Sequence, residues 1–193
     1  MSSKLDASFW NSKYNNNDIG WDIGYPSPPI AEYADQLERK DLSILIPGCG
    51  NGYEAEYLWK TGHKNVHILD YSDTALTEFK IRVPEFPENQ IHVGDFFTHQ
   101  GSYDLILEQT FFCAIQPVLR QNYVRKVKEL LKPEGKLVGV LFNDELNEDK
   151  PPFGGNSLEY LGHFQPHFQH LYMKSCYNSI EPRIGRELFV IFS

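Results

Sequence analysis

Basic residues are scarce in this chain. Against 26 Asp and Glu stand 18 Lys and Arg, a formal net charge of −8, and no run of like charge offsets the balance. A partner gripped by its phosphate backbone needs a basic face, so no nucleic-acid partner is expected. Cysteine is scarcer still. Cys49, Cys113 and Cys176 are odd in number and far apart, which argues against a disulfide framework and for a reducing compartment, the cytoplasm. Long apolar runs are missing as well: none is of bilayer-spanning length, and the opening MSSKLDASFWNSKY has no apolar stretch of signal-peptide length. No membrane partner is expected. No internal repeat divides the 193 residues, so a single domain with a self-sufficient core is expected over 1–193.

What the chain does have is aromatic residues, glycine and alternating patterns. Residues 1–29 are polar and aromatic, rich in turn formers in YNNNDIGWDIGYPSPP, and read as an irregular arm ahead of a core over 30–193. PPIAEYADQLERK spaces Ile30, Tyr33, Ala34 and Leu37 as an amphipathic helix with proline at its start. Strand and helix patterns then alternate. LSILIP, VHILDY, QIHVGDF, YDLILEQ and KLVGVLF read as strands. DTALTEFKIRV is a helix capped by Ser72 or Asp73. Another opens at Pro117, runs to Leu131 and is stopped by KPEG. After the polar loop NDELNEDKPPFGGN come a helix from Ser157 to Phe168 and a terminal antiparallel pair, HLYMKSCY with ELFVIF. Such alternation implies a Rossmann-like α/β fold, a mostly parallel sheet with helices on both faces. Ligands of such sheets bind beyond the carboxyl ends of the strands, where connections diverge.

The glycines of LIPGCGNGYEAEYL lie at that edge. A Walker-type phosphate loop needs Gly-Lys-Ser/Thr, and Gly52 is followed by Tyr53. A dinucleotide fingerprint needs a small residue where Tyr53 stands, so a nicotinamide-dependent oxidoreductase is a distant reading. Gly48, Gly50 and Gly52 instead give Gly-x-Gly-x-Gly, which suits S-adenosylmethionine, a cofactor without a pyrophosphate. The alternative is a flexible turn without ligand. Asp70 ends the second strand, 18 residues after Gly52, where a carboxylate accepts ribose hydroxyls; a surface acid or helix cap is its other reading. Asp95, in VGDFF, is placed to accept the adenine amine with Phe96 or Phe97 against the ring, or to cap a turn. Three features on three consecutive strand ends favour methyl transfer.

FWNSKY…IGWDIGYPSPPI, LIPGCGNGYEAEYL, LDYSDTAL, VGDFF and YDLILEQTFFCAIQP together resemble the thiopurine S-methyltransferase superfamily, nearest its halide and thiol methyltransferases, from Phe9 to about Phe153. The resemblance implies a seven-stranded sheet with its last strand inserted antiparallel, and an arm that closes over the cofactor. It implies that Trp10 and Trp21 pack near the cofactor, Gly48, Gly50 and Gly52 line its methionine part, and Asp70 holds the ribose. Asp95 with Phe96 would hold the adenine, and Glu108 would lie near the methionine amine.

The implied acceptor is a small thiol or soft anion such as bisulfide, thiocyanate or a halide. A larger aromatic or heterocyclic thiol, or a binding protein without catalysis, is the alternative. An anionic nucleophile needs no strong base, in keeping with the absence of an obvious catalytic dyad. Tyr14, Tyr25, Phe112, Phe142, Phe153 and Tyr160 are candidates for an aromatic acceptor pocket, each with ordinary core packing as its other reading. Cys113 reads as a small buried side chain. His163, His167 and His170 have the spacing of metal ligands, but Pro166 interrupts their helix, and no metal is expected. Arg183 and Arg186 read as surface residues flanking the last hairpin, with contact to an anionic substrate as the alternative.

Overall fold

The computed structural model describes residues 5–193; residues 1–4 of the arm lie outside the described residues. Seven strands form one sheet: β1 (Ile44–Pro47), β2 (Val66–Asp70), β3 (Ile91–Val93), β4 (Tyr103–Gln109), β5 (Leu131–Phe142), β6 (Leu171–Ser175) and β7 (Glu187–Phe192). Their spatial order is β3-β2-β1-β4-β5-β7-β6, with β7 antiparallel to both neighbours and the other pairs parallel. This is the expected Rossmann-like fold, including the inserted antiparallel strand. All four residues of β1 are buried, because a central parallel strand is covered on both faces and reads as an unbroken apolar run.

Six helices cover the sheet or its upper edge: α1 (Ala7–Asn15), α2 (Pro28–Asp35), α3 (Tyr53–Lys60), α4 (Asp73–Arg82), α5 (Arg120–Leu130) and α6 (Ser157–Phe164). One face packs Ile30 and Ala34 of α2, Ala55 and Leu58 of α3, and Leu76 and Phe79 of α4 against Ile44, Ile46 and Ile68. The other packs Tyr123, Val124 and Val127 of α5 and Phe164 of α6 against Leu45, Ile106 and Leu137.

The elements depart from the sequence patterns in five places. The arm is not wholly irregular, because Asp6 caps α1 by accepting the amides of Ser8 and Phe9 at 3.1 and 3.2 Å. α2 ends at Asp35, short of the expected Lys40. Pro117 opens a 3-10 turn, and the α-helix begins only at Arg120. Strand β5 starts directly after that helix: Tyr103 pairs Leu131 and Leu105 pairs Lys136, so Lys132–Gly135 is looped out of the ladder. Helix α6 stops at Phe164 instead of Phe168, two residues before Pro166, whose ring clashes with a continuing turn. The chain crosses from one face to the other between β1 and β4. Their carboxyl ends therefore open the crevice where such folds bind ligands.

Candidate functional site

At the end of β1 three glycines carry left-handed backbone angles, φ +58° at Gly48, +53° at Gly50 and +68° at Gly52. Side chains elsewhere occupy the space that a Cβ would need. It would lie 2.1 Å from a Phe111 ring carbon at Gly48, 2.6 Å from the Tyr14 hydroxyl at Gly50, and 2.6 Å from the Phe79 ring at Gly52. Glycine is required here by conformation and by space together. Gly52 meets the requirement against helix α4, so its contact is internal packing.

Asp70 locks this loop to β2. One carboxylate oxygen accepts the Gly50 amide and the other the Ser72 amide, both at 2.8 Å. Burial raises its pKa, and the Ser72, Gly50 and Tyr71 amides oppose the shift. With three amides on about four lone-pair sites, the carboxylate keeps room for a further donor.

The arm lies across the same loop. Trp21 meets Trp10 edge-on at 5.6 Å and Tyr14 at 6.0 Å between ring centroids. The Tyr14 hydroxyl, bonded to Trp21, sits over Gly50 in the field of Asp70, and burial raises its pKa. Four polar contacts latch the arm. Ser72 Oγ donates to Asn11 at 2.7 Å, Asn51 donates to Asp22 at 2.5 Å, the Ser27 amide donates to Glu54 at 2.9 Å, and Arg183 donates to the Trp21 carbonyl at 2.9 Å. Tyr25 turns outward, 49% exposed, and does not join the group.

Past β3, one Asp95 oxygen accepts the Phe97 amide at 2.8 Å, the geometry of a turn cap. Its carboxylate also takes the Tyr71 hydroxyl, whose pKa is pushed up to about 12 by burial and by Asp95. Phe96 is buried in the core against Phe111 and Tyr123, both at 5.3 Å. The half-buried Phe97 is the ring at the surface there.

Glu108, near the end of β4, is fully buried and already occupied. One oxygen accepts the amides of Phe111 and Phe112 at 2.9 and 2.7 Å, and the other accepts the Tyr123 hydroxyl at 2.7 Å. Burial pushes its pKa up to about 7 against these bonds. Its visible work is to hold the turn after β4, where Thr110 takes φ +57°, a strained angle for a β-branched residue. The side-chain oxygens of Gln109 and Asn51, at the ends of β4 and β1, are buried without a partner.

Over the ends of β4, β5 and β7 runs a crevice whose walls include Glu108, Thr110, Cys113, Phe142, Tyr160 and Glu187. It is too tight for a water molecule. Phe112 forms part of the wall and lies in the core against Tyr123 and Tyr160, at 5.0 and 5.6 Å. Phe153 is buried nearby, its amide donating to the Cys113 carbonyl at 2.7 Å. The Cys113 thiol donates to the Thr110 carbonyl at 3.2 Å, and burial pushes its pKa up to about 12.

Arg183 corrects the surface reading. It is 9% exposed, its Nη1 lies 3.8 Å from Glu187, and it ties the arm to β7. Arg186 is exposed and pairs with Asp144, as a surface residue does. Because α6 ends at Phe164, His163 is parted from His167 and His170, and His163 lies 3.5 Å from Glu159. Among the described residues no three metal-binding side chains converge. Sequence reasoning missed Phe111, Tyr71, Asp22, Glu54 and Glu187. Asp22, Glu54, Tyr71 and Phe111 each sit inside a motif already singled out, whereas Glu187 carried no such signal.

Among known proteins, the profile of the Thiopurine S-methyltransferase (TPMT) family matches residues 5–187. "Probable thiol methyltransferase 2" of Arabidopsis thaliana is 29% identical over 165 residues, covering 83% of this chain and 73% of its own. "Thiocyanate methyltransferase 1" of Brassica oleracea is 28% identical over 154 residues, covering 77% and 68%. Among solved structures, a TehB-like SAM-dependent methyltransferase from Corynebacterium glutamicum has a TM-score of 0.69 at 19% identity, covering 97% of both chains. Burkholderia thailandensis 1,6-didemethyltoxoflavin-N1-methyltransferase, with bound S-adenosylhomocysteine, reaches 0.75 at 17% identity, covering 96% and 85%. Likeness at these identities speaks for the fold.

Proposed function

The chain belongs to the thiopurine S-methyltransferase family, and on that premise we propose that it is an S-adenosylmethionine-dependent methyltransferase acting on a small thiol or soft anion. The observation that carries the reading is the Asp70 carboxylate, bonded to Gly50 at the tip of β2 and roofed by Tyr14 and the arm tryptophans. The residues present fit the cofactor. Asp70, already holding the Gly50, Ser72 and Tyr71 amides, retains acceptor capacity for a ribose hydroxyl. The unpartnered oxygens of Asn51 and Gln109 suit a methionine ammonium, which carries donors only. Gly48 and Gly50 leave a bare backbone for its close approach. Asp95 and Phe97, with Phe96 behind them, would take the adenine.

Glu108 acts from behind, holding the turn that carries Thr110 and Phe111, because this chain's own donors take three of its acceptor positions and it is fully buried. When bound, S-adenosylmethionine supplies an electrophilic methyl group on a sulfonium. The chain's part is then to align an acceptor and exclude water. Trp10, Tyr14 and Trp21 close the cofactor side, and Phe112, Phe142 and Tyr160 wall the acceptor side. We read residues 1–29 as the covering arm and 30–193 as the core of one domain. The cytoplasm suits its three free, buried cysteines.

The test is headspace detection of methylated product from purified protein, S-adenosylmethionine and, in turn, bisulfide, thiocyanate and iodide. Methanethiol, methyl thiocyanate or methyl iodide is the expected product. A thermal-shift scan beside it should show stabilisation of about 2.7 kcal/mol at ~100 times the dissociation constant. Stabilisation without product from any of the three acceptors would refute the acceptor class and keep the cofactor site.

A further inference from the structure

We propose that Glu187 is the general base that takes the proton of a neutral thiol acceptor. The proposal deepens the methyl-transfer reading above and rests on it. Glu187 is the first residue of β7 and pairs with Phe142, the last of β5, so it stands at the sheet edge that carries the glycine loop. It is 5% exposed and forms a wall of the crevice with Thr110, Cys113 and Tyr160.

The other polar groups of that crevice are committed elsewhere. Glu108 accepts three donors. The Tyr160 hydroxyl donates to the Phe142 carbonyl at 2.5 Å, Thr110 Oγ1 donates to the Gln109 carbonyl at 2.7 Å, and the Cys113 thiol donates to the Thr110 carbonyl at 3.2 Å. Burial raises both the Tyr160 and the Cys113 pKa values, so neither takes up a proton as an anion near neutrality. Arg183, the guanidinium nearest Glu187, stands at 3.8 Å, beyond hydrogen-bond distance. Even with the Ser179 hydroxyl beside it, Glu187 keeps acceptor capacity to offer a ligand, since a carboxylate has about four lone-pair sites.

Its charge state suits the work. Burial raises the pKa of Glu187, while Ser179, Arg183 and Arg186 favour the charged form. The result is a carboxylate more basic than usual. Two acids line the crevice, Glu108 and Glu187, and Arg120 and Arg183 lie close enough to act on the Cys113 thiol. A neutral thiol, unlike an anionic acceptor, must lose its proton as it reacts and so needs a base. As the thiol sulfur forms its bond to the methyl carbon, its S–H pair stays on sulfur and the proton passes to a Glu187 oxygen. The carbon–sulfonium bond breaks with its pair left on the cofactor's sulfur, so a thioether, a neutral cofactor product and a protonated Glu187 result.

The experiment compares ethanethiol, which must lose a proton, with thiocyanate, which has none. In the wild-type protein kcat/KM for ethanethiol should hold a plateau well below the ionisation of the free thiol and fall only through the ionisation of Glu187. Infrared difference spectra of 13C-glutamate protein, with Glu187→Gln subtracted, should titrate at that same acid limb. In Glu187→Gln the ratio of kcat/KM for ethanethiol to that for thiocyanate should drop about 100-fold. A tenfold fall per pH unit throughout the range below the free thiol's ionisation would overturn the proposal, because only preformed thiolate would then react. Equal loss on both acceptors would also overturn it, assigning Glu187 to holding Arg183 and the arm. Absence of product from either acceptor with the wild type would instead remove the methyl-transfer reading beneath it.

Discussion

Replacing Gly50 with alanine tests whether the arm sits on the glycine loop through Tyr14. Two effects are separable. At φ +53° any L side chain is strained by ~1–2 kcal/mol, whatever surrounds it. The added Cβ would also lie 2.6 Å from the Tyr14 hydroxyl but 3.8 Å from the ring carbon that bears it. The clash thus belongs to one oxygen atom, and overpacking of that kind costs about 1–3 kcal/mol. In a Tyr14→Phe background the oxygen is gone and only the backbone strain remains. Gly50→Ala should therefore destabilise the wild-type background by ~1–3 kcal/mol more than the Tyr14→Phe background, a coupling expected only for residues in contact. Urea unfolding of the four proteins measures it, and limited proteolysis of the arm detects relief of the clash by lifting residues 7–25 locally. Additive effects in urea, together with unchanged arm cleavage in Gly50→Ala, would refute the placement of Tyr14 over the loop.

Asp70→Ala should weaken cofactor affinity by about 1.5–3 kcal/mol, the range for hydrogen bonds to a charged group, and it also releases the Gly50 and Ser72 amides. Calorimetric titration reads this, and unchanged affinity would move the ribose site elsewhere. Acid stability should depend on a histidine group far from the site. The His67 and His92 nitrogens lie 3.0 Å apart, and His99 meets the Tyr103 hydroxyl at 2.7 Å. Burial lowers all three pKa values, that of His99 to about 4, with His92, Lys126 and His67 adding to its shift. The fold therefore favours the neutral rings. Their contribution is complete above the unfolded value of ~6.5 and is lost as pH falls towards the folded values. Buried carboxylates raised in pKa pull the other way, so the readout is a difference: the urea midpoint of His99→Gln should fall less than that of wild type from about pH 7 to about pH 5. Parallel losses would refute it.

Much of the fold was legible because parallel strands buried on both faces leave continuous apolar runs such as SILIP and YDLILE. The glycine spacing and Asp70 marked the cofactor edge for the same local reason, since backbone angle and strand end are properties of neighbouring residues. Helix α1 escaped notice because its nine residues bury none of themselves and show no apolar stripe. The fate of Glu108 was equally hidden, because its partner Tyr123 lies 15 positions on.

Sequence alone determined the strand–helix alternation, the glycine loop, the acids at two strand ends and the family resemblance. Each is written in residues close together along the chain. Tertiary structure decided which of those groups were already occupied and which were free. It turned Glu108 inward onto its own turn, drew Arg183 from the expected surface to the Trp21 carbonyl, and set Glu187 in the crevice wall. Those outcomes depend on contacts between residues up to 162 positions apart, and burial and hydrogen-bond occupancy exist only once such distant segments are packed together.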